Sequence, residues 1–269
     1  NSINIGRLVP QIVYYFYSYM KLVERNEIVL GEKVNFTVPT GNFGDILAGY
    51  YAELMGLPVN KLICASNENN VLYDFIKTGT YDRNRSFYKT LSPSMDILIS
   101  SNLERLIYHL SKNDNKYVKY LIAELKSNGK YTVSQEIKNY IDNLFYAGYT
   151  TDLQTSETIK NVYNEYNYLL DTHTAVAYNV MKEFKEKDSR HKNIVLATAS
   201  PYKFSKAVYE SLFGENNSDE FKIMELLNEK TKVPIPENLR NLKNKKDIHT
   251  SVINKKDMKN CFEVILWLL

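Results

Sequence analysis

The stretch Val34-Asn-Phe-Thr-Val-Pro-Thr-Gly-Asn-Phe-Gly-Asp45 restricts what this chain can fold into more than any other. The apolar run from Val34 to Val38 has the length of a buried strand. Pro39 has no N–H to give a central ladder, so the strand is expected to stop there. Thr40 to Asp45 then reads as a tight, glycine-bearing turn, and Ile46 to Met55 has helical spacing with few breakers. Strand, glycine loop and helix in that order aim free backbone N–H groups and a positive helix end at an anion, usually a phosphate. An ordinary strand-to-helix turn, with Asn and Gly in turn and cap roles, fits the local pattern as well. Asp45 is placed to cap the helix by accepting backbone N–H bonds. A carboxylate would not itself hold a phosphate.

Leu62–Ala65 and residues 193–198 are further short apolar runs, and helical segments alternate with them. That alternation indicates an α/β fold, an open, mostly parallel sheet flanked by helices. The polar loop Ser66–Asn70 should share a rim with the 40–45 loop, at the carboxyl ends of parallel strands where ligand crevices lie. Gly56-Leu-Pro58 should end the first βα helix, Gly79 the helix at 71–77, and Asn102 should cap a helix at 103–111. Residues 94–101 carry a third apolar run. Asp171 or Thr172 should cap the helix opened by Asp171–Tyr178. Leu8–Leu22 is apolar and aromatic, a helix with Pro10 in its first turn and its aromatic residues buried. We divide the chain into an α/β core carrying the phosphate loop (1–110), a helical excursion of the same domain poor in strand signals (111–185), a return strand and helix (186–213) and a C-terminal extension (214–269). The extension has a helical piece near 219–229 and an apolar tail, Cys261–Leu269, expected to dock on the body.

With 269 residues, 44% of them hydrophobic, the chain can bury a large core. A net charge of +3, from 34 basic and 31 acidic residues, supplies no basic field for nucleic acid. No apolar stretch approaches the roughly 20 residues of a membrane span, and no signal peptide is recognised. Cys64 and Cys261 stand too far apart to suggest a disulfide framework or a metal site. Cys64 fits as a small core residue, and a cytoplasmic location is the expectation. His109, His173, His191 and His249 form no pair at metal-binding spacing. His173, on the expected rim just before a helix, is read first as structural. There is no G-x-S-x-G elbow, no Walker lysine in the 40–45 loop and no G-x-G-x-x-G spacing. A small phosphorylated cofactor or substrate therefore suits the loop better than a nucleotide does.

Four stretches taken together go further. Asn1-Ser-Ile-Asn4, Pro39–Asp45, Asp171–Tyr178 and Thr198-Ala-Ser-Pro-Tyr-Lys-Phe204 resemble successive motifs of threonine synthase, in that family's order and at similar spacing. The resemblance covers essentially the whole chain and is loose over 111–165 and the tail. It implies a pyridoxal 5'-phosphate enzyme of the tryptophan-synthase-β-like fold (fold type II). The family's reaction converts O-phospho-L-homoserine and water to L-threonine and phosphate. By the same resemblance Gly41, Asn42, Phe43 and Gly44 would hold the cofactor phosphate. Thr198 would hydrogen-bond the pyridine nitrogen, a neutral partner that leaves it largely unprotonated. Asn1, Ser2, Asn4 and Arg7 would lie near the substrate phosphate, Arg7 with a bidentate contact.

Two departures accompany it. Ser200 stands where many members carry histidine, so no role for it carries over. The family's Schiff-base lysine lies well upstream of the Asn-Ser motif, and no residue of this chain matches it. The chain opens without methionine and in mid-pattern, as expected of the C-terminal half or more of the enzyme, inactive alone. The partners implied are O-phosphohomoserine and the missing N-terminal part of the same enzyme. Another pyridoxal-phosphate lyase of the same fold, or a non-catalytic module for a phosphate-bearing ligand, are the alternatives.

Overall fold

Every residue of Val34–Pro39 is buried, and this segment is strand β1 in the computed structural model, which describes residues 4–246, 248 and 252–259. Pro39 closes the strand opposite Ala65. β1 lies inside a four-stranded sheet of order β5-β2-β1-β6, whose other members are β2 (Val59–Ser66), β5 (Phe145–Tyr149) and β6 (Asn193–Val195). All three pairings are parallel. The chain passes from β1 to β2 on one side and returns to β6 on the other, so the order of strands reverses at β1. Crevices outside the carboxyl ends of strands at such a reversal are where open α/β sheets take ligands.

The first helix, α1 (Val9–Glu24), carries Pro10 in its first turn. Only one of its faces enters the core: Tyr15 and Tyr19, four residues apart, are buried, whereas Tyr14 and Tyr17 are exposed. The expectation of general aromatic burial fails there because a helix turns its residues around the axis. After β1 comes α2 (Gly44–Leu54), closed by Gly56 at φ 98°. After β2 come α3 (Val71–Thr78), ended by Gly79 in the left-handed region, and the short strand β3 (Thr80–Asp82). Helices α4 (Leu103–Leu110) and α5 (Asn115–Asn128) follow, then strand β4 (Lys130–Thr132), which pairs antiparallel with β3.

Helix α6 (Gln135–Leu144) leads directly into β5, which pairs with β2 along Leu62–Ser66. The stretch expected to be a helical excursion thus contributes a strand to the main sheet. Its five residues include Gly148, an unpromising strand residue, yet a side chain there would meet Val180 Cγ1 at 2.7 Å. Val180 belongs to α8 (Thr172–Lys185), which follows α7 (Asp152–Tyr166) and covers the sheet. The apolar run 94–101 forms no strand; a short 3-10 turn, Pro93–Met95, precedes irregular chain.

Beyond β6, Pro201–Phe204 makes a 3-10 turn into α9 (Ser205–Phe213). Helix α10 (Glu220–Thr231), capped by Asp219, buries Ile223, Met224 and Leu227. The chain divides into two compact units at Val233/Pro234. The second unit contains α11 (Glu237–Arg240) and 3-10 turns at Leu242–Asn244 and Lys255–Asp257. The apolar tail Cys261–Leu269, His249 and the opening residues Asn1 and Ser2 lie outside the described residues.

Candidate functional site

The turn after β1 differs from the expected capping arrangement. Helix α2 begins at Gly44, one residue before Asp45, and its N-cap is Phe43, which carries no side-chain cap and sits at φ 65°. The side chain that shapes the turn is Asn42, whose Oδ1 accepts the Gly44 N–H at 3.0 Å. Asn42 also fixes the loop from behind, because its carbonyl accepts both the N–H and the side-chain amide of Asn102, each at 3.0 Å. Asn102 thus stands at the cap position of α4 without capping it. Phe43 turns its ring into the core against Phe145 (5.8 Å between centroids).

This arrangement leaves donors unspent. Among the described residues nothing accepts from the backbone N–H groups of Gly41, Asn42, Phe43, Asp45 and Ile46. The first N–H groups of any helix lack internal partners; here a tight loop adds three more just before them. Gly41 is packed too closely for a side chain: a Cβ would lie 3.0 Å from Ser94 O and 3.1 Å from Met95 Cα.

Asn42, Gly44 and Asp45 of this turn border a cleft of about 310 Å³ that Asn4, Arg7, Leu8, Gln11, Ser94, Asn102 and Thr198 also line. Five of the residues singled out in the sequence therefore meet on one cleft: Asn4, Arg7, Asn42, Gly44 and Thr198. Gly41 and Phe43 belong to the loop but are not among the residues that line the cleft; Phe43 is buried in the core. Thr198 reaches the cleft because β6 pairs with β1, Val195 opposite Thr37. Asn4 caps the 3-10 turn Ile5–Arg7 through Oδ1, which accepts the Gly6 N–H at 2.8 Å. The Arg7 side chain is exposed and has no ion-pair partner among the described residues. Gln11 Oε1 is buried with no hydrogen-bond partner among the described residues.

Ser66–Asn70 shares the rim but turns away from the cleft. Asn67 and Asn69 donate instead to Asp96 Oδ1, at 2.8 and 3.0 Å. Ser200 has a local role, its Oγ accepting the Tyr202 N–H. Asp171 caps α8, as expected, by accepting from the N–H groups of His173 and Thr174. Gln11, Ser94 and Asn102 are cleft residues that the sequence reading missed. They converge from three separate segments, and no local pattern announces that.

Asp45 sets the electrostatics of the cleft. The buried Tyr15 hydroxyl donates to Asp45 O at 2.8 Å and lies 3.3 Å from Asp45 Oδ1. Burial pushes the Asp45 carboxyl up from 3.8 to about 6, and the Tyr15 hydrogen bond opposes this. Burial, then the nearby Asp45, hold the Tyr15 phenol well above its ordinary range. The folded state thus keeps a proton that the unfolded chain releases near pH 4, so Asp45 costs stability as pH rises through about 4 to 6. A shift of that size represents about 3 kcal/mol, and the positive end of α2 offsets about 0.3–1 kcal/mol of it. We therefore expect Asp45→Asn to gain about 2 kcal/mol on the wild type between pH 4 and pH 8. Urea unfolding at both pH values measures it; a difference that does not change with pH contradicts it.

Comparison with known proteins yields a consistent set of likenesses. A family model described as threonine synthase, C-terminal, matches residues 174–265. Threonine synthase of Saccharomyces cerevisiae is 42% identical over 232 residues, 81% of this chain and 45% of the relative. That of Pseudomonas aeruginosa is 41% identical over 215 residues, 80% of this chain and 44% of the relative. The solved structure of yeast threonine synthase superimposes with a TM-score of 0.84 at 38% identity, covering 100% of this chain and 54% of that one. Pyridoxal-phosphate-bound threonine synthase from Brucella melitensis superimposes with a TM-score of 0.82 at 37% identity, covering 97% of this chain and 51% of that one. The chain spans about half the length of these relatives.

Proposed function

The chain belongs to the threonine synthase family, and we propose that it forms the phosphate-gripping face of a pyridoxal 5'-phosphate site in a cytoplasmic enzyme. That enzyme converts O-phospho-L-homoserine and water to L-threonine and phosphate. The observation that carries this reading is the set of N–H groups at Gly41, Asn42, Phe43, Asp45 and Ile46 that find no acceptor among the described residues, beside a cleft also lined by Arg7, which has no ion-pair partner among them. Backbone donors at a helix N-terminus suit a phosphate dianion, and the space over Gly41 has no room for a side chain. The loop residues Gly41, Asn42, Phe43 and Gly44 would therefore hold the cofactor phosphate. Thr198 would give the ring nitrogen a neutral hydroxyl. When bound, the cofactor supplies an electron sink for the substrate's reacting carbons.

Asn4 and Arg7 stand across the same cleft and would take the substrate phosphate, with Asn1 and Ser2 of the same segment. Arg7 offers a planar fork that fits two phosphate oxygens at once. The chain's own part in the reaction is thus to grip anions, orient the cofactor ring and neutralise the departing phosphate. The lysine that holds the cofactor covalently would come from the remaining part of the enzyme, so this chain alone binds phosphate without turning over substrate.

Calorimetric titration with inorganic phosphate tests this. Phosphate should bind saturably at two positions, the glycine loop and the Arg7 side of the cleft, and Arg7→Met should weaken the second about tenfold or more, since a hydrogen bond to a charged group contributes about 1.5–3 kcal/mol. Unaltered affinity in Arg7→Met would remove the arginine from the site. Pyridoxal phosphate mixed with the chain should develop no visible absorption band beyond that of the free cofactor. A stoichiometric band, trapped by borohydride on a single lysine, would defeat the claim of inactivity.

A further inference from the structure

The segment Ser92–Asp96 packs against the glycine loop and places Ser94 on the cleft, and it is fastened at several points. The Asp96 carboxylate draws it to the end of β2. It accepts from Thr90 N–H at 2.9 Å, Thr90 Oγ at 2.7 Å, and the side-chain amides of Asn67 and Asn69 at 2.8 and 3.0 Å. Ser94 is held from both sides. Its N–H donates to His173 Nε2 at 3.1 Å. Its carbonyl oxygen packs against Gly41, 3.0 Å from the place a Cβ would take.

His173 is buried at the start of α8, with its ring 4.6 Å from the Phe204 ring. Its own N–H donates to the Asp171 carboxylate at 2.8 Å. The other ring nitrogen, Nδ1, lies 3.3 Å from both Thr172 Oγ1 and Asp171 Oδ1. An imidazole whose Nε2 accepts from a backbone N–H carries its proton on Nδ1, toward those two oxygens. The Asp171 cap thus orients the ring, and the ring fixes Ser94. The Ser94 side chain is exposed on the cleft, and its hydroxyl has no partner among the described residues. A short side chain on a backbone restrained at both ends loses little freedom when it takes a ligand.

We propose that Ser94 is a further binding residue of the cleft, its hydroxyl donating to an oxygen of the bound phosphate, and that His173 is the positioning residue that holds it there. The proposal rests on the phosphate reading of the cleft and extends it to a wall that neither the glycine loop nor Arg7 supplies.

The test titrates inorganic phosphate into the wild-type chain and into Ser94→Ala, Ser94→Thr, His173→Gln and His173→Leu, with urea unfolding of each alongside. Ser94→Ala should bind phosphate about tenfold more weakly with an unchanged unfolding midpoint, because the hydroxyl it loses has no hydrogen-bond partner among the described residues. Ser94→Thr, which keeps the hydroxyl, should bind close to wild type. His173→Gln retains an acceptor for the Ser94 N–H and should bind more tightly than His173→Leu. A purely structural histidine would lower stability in both without separating their affinities. Equal phosphate affinity in Ser94→Ala and wild type overturns the proposal and leaves the phosphate site standing. Equal affinity in the two His173 variants overturns the positioning role. Absence of saturable phosphate binding to the wild-type chain overturns both the proposal and the reading beneath it.

Discussion

Gly41→Val is expected to weaken phosphate binding at least about a hundredfold while leaving the chain folded. A Cβ at this position meets backbone, Ser94 O at 3.0 Å and Met95 Cα at 3.1 Å, and not the free end of a side chain. That backbone has little room to give. Asp96 anchors it with four accepted hydrogen bonds, and His173 holds the Ser94 N–H. The glycine loop is held through the carbonyls of Gly41 and Asn42, but its N–H groups have no acceptor among the described residues, so the expected movement is of that N–H edge. Hydrogen bonds weaken steeply once donor and acceptor leave their preferred distance and angle. Each charge-assisted bond contributes about 1.5–3 kcal/mol, so misplacing two of them accounts for a hundredfold. Calorimetric titration with phosphate, together with a circular-dichroism check of the fold, measures this. Affinity within threefold of wild type would take Gly41 out of the anion cradle.

Gly49→Val should have the largest effect on stability. Gly49 lies in α2, where replacing glycine by a residue with a side chain ordinarily helps the helix, by at most about 1 kcal/mol. Packing decides against that gain. A Cβ would stand 2.6 Å from Tyr15 Cε1, 2.9 Å from Tyr15 Cζ and 2.9 Å from Leu62 Cδ2. Tyr15 cannot retreat, because its ring is fully buried 4.9 Å from the Phe36 ring and its hydroxyl is bonded to Asp45 O. Leu62 is likewise closed in on β2. Overpacking of a filled core costs about 1–3 kcal/mol, occasionally more, and valine is also a poor helix former. We expect a net loss of about 2–3 kcal/mol, seen as a melting point lowered by roughly 5–10 °C in a unit of this size. An unchanged or raised melting point would show that α1 and α2 can part without cost.

The first βα unit was legible because its signals agree. A run of apolar residues, a proline stop, two glycines and a helical repeat all point to one arrangement, and β1, the loop and α2 follow it within two residues. Asp171 was legible as a cap for the same reason. Asp45 misled because the helix starts two residues early: Asn42 supplies the turn-closing acceptor, Phe43 takes the cap position at positive φ, and Asp45 falls within the first turn. β5 was hidden by its brevity and by Gly148, a residue explained only by Val180 on another helix. The reverse happened at 94–101, where apolar residues pack as irregular chain around the polar hub of Asp96.

Of the candidate site, the loop and Thr198 could be placed from the strands they follow. Ser94, Gln11 and Asn102 could not, since each is brought to the cleft by contacts with distant segments. The resemblance to threonine synthase picked out Asn4 and Arg7, residues whose local sequence alone says little. It offered no reason for their meeting the glycine loop; that comes from Tyr15, which ties α1 to the start of α2.

The position of β6 has a kinetic side. Its pairing with β1 brings Asn35 beside Asn193 across 158 residues of sequence. Closing so long a loop costs entropy before any contact returns it, and pairings of this kind slow folding. The crevice between the glycine loop and Thr198 depends on that long-range pairing, so a ligand that binds only the complete crevice is expected to slow unfolding more than it changes refolding.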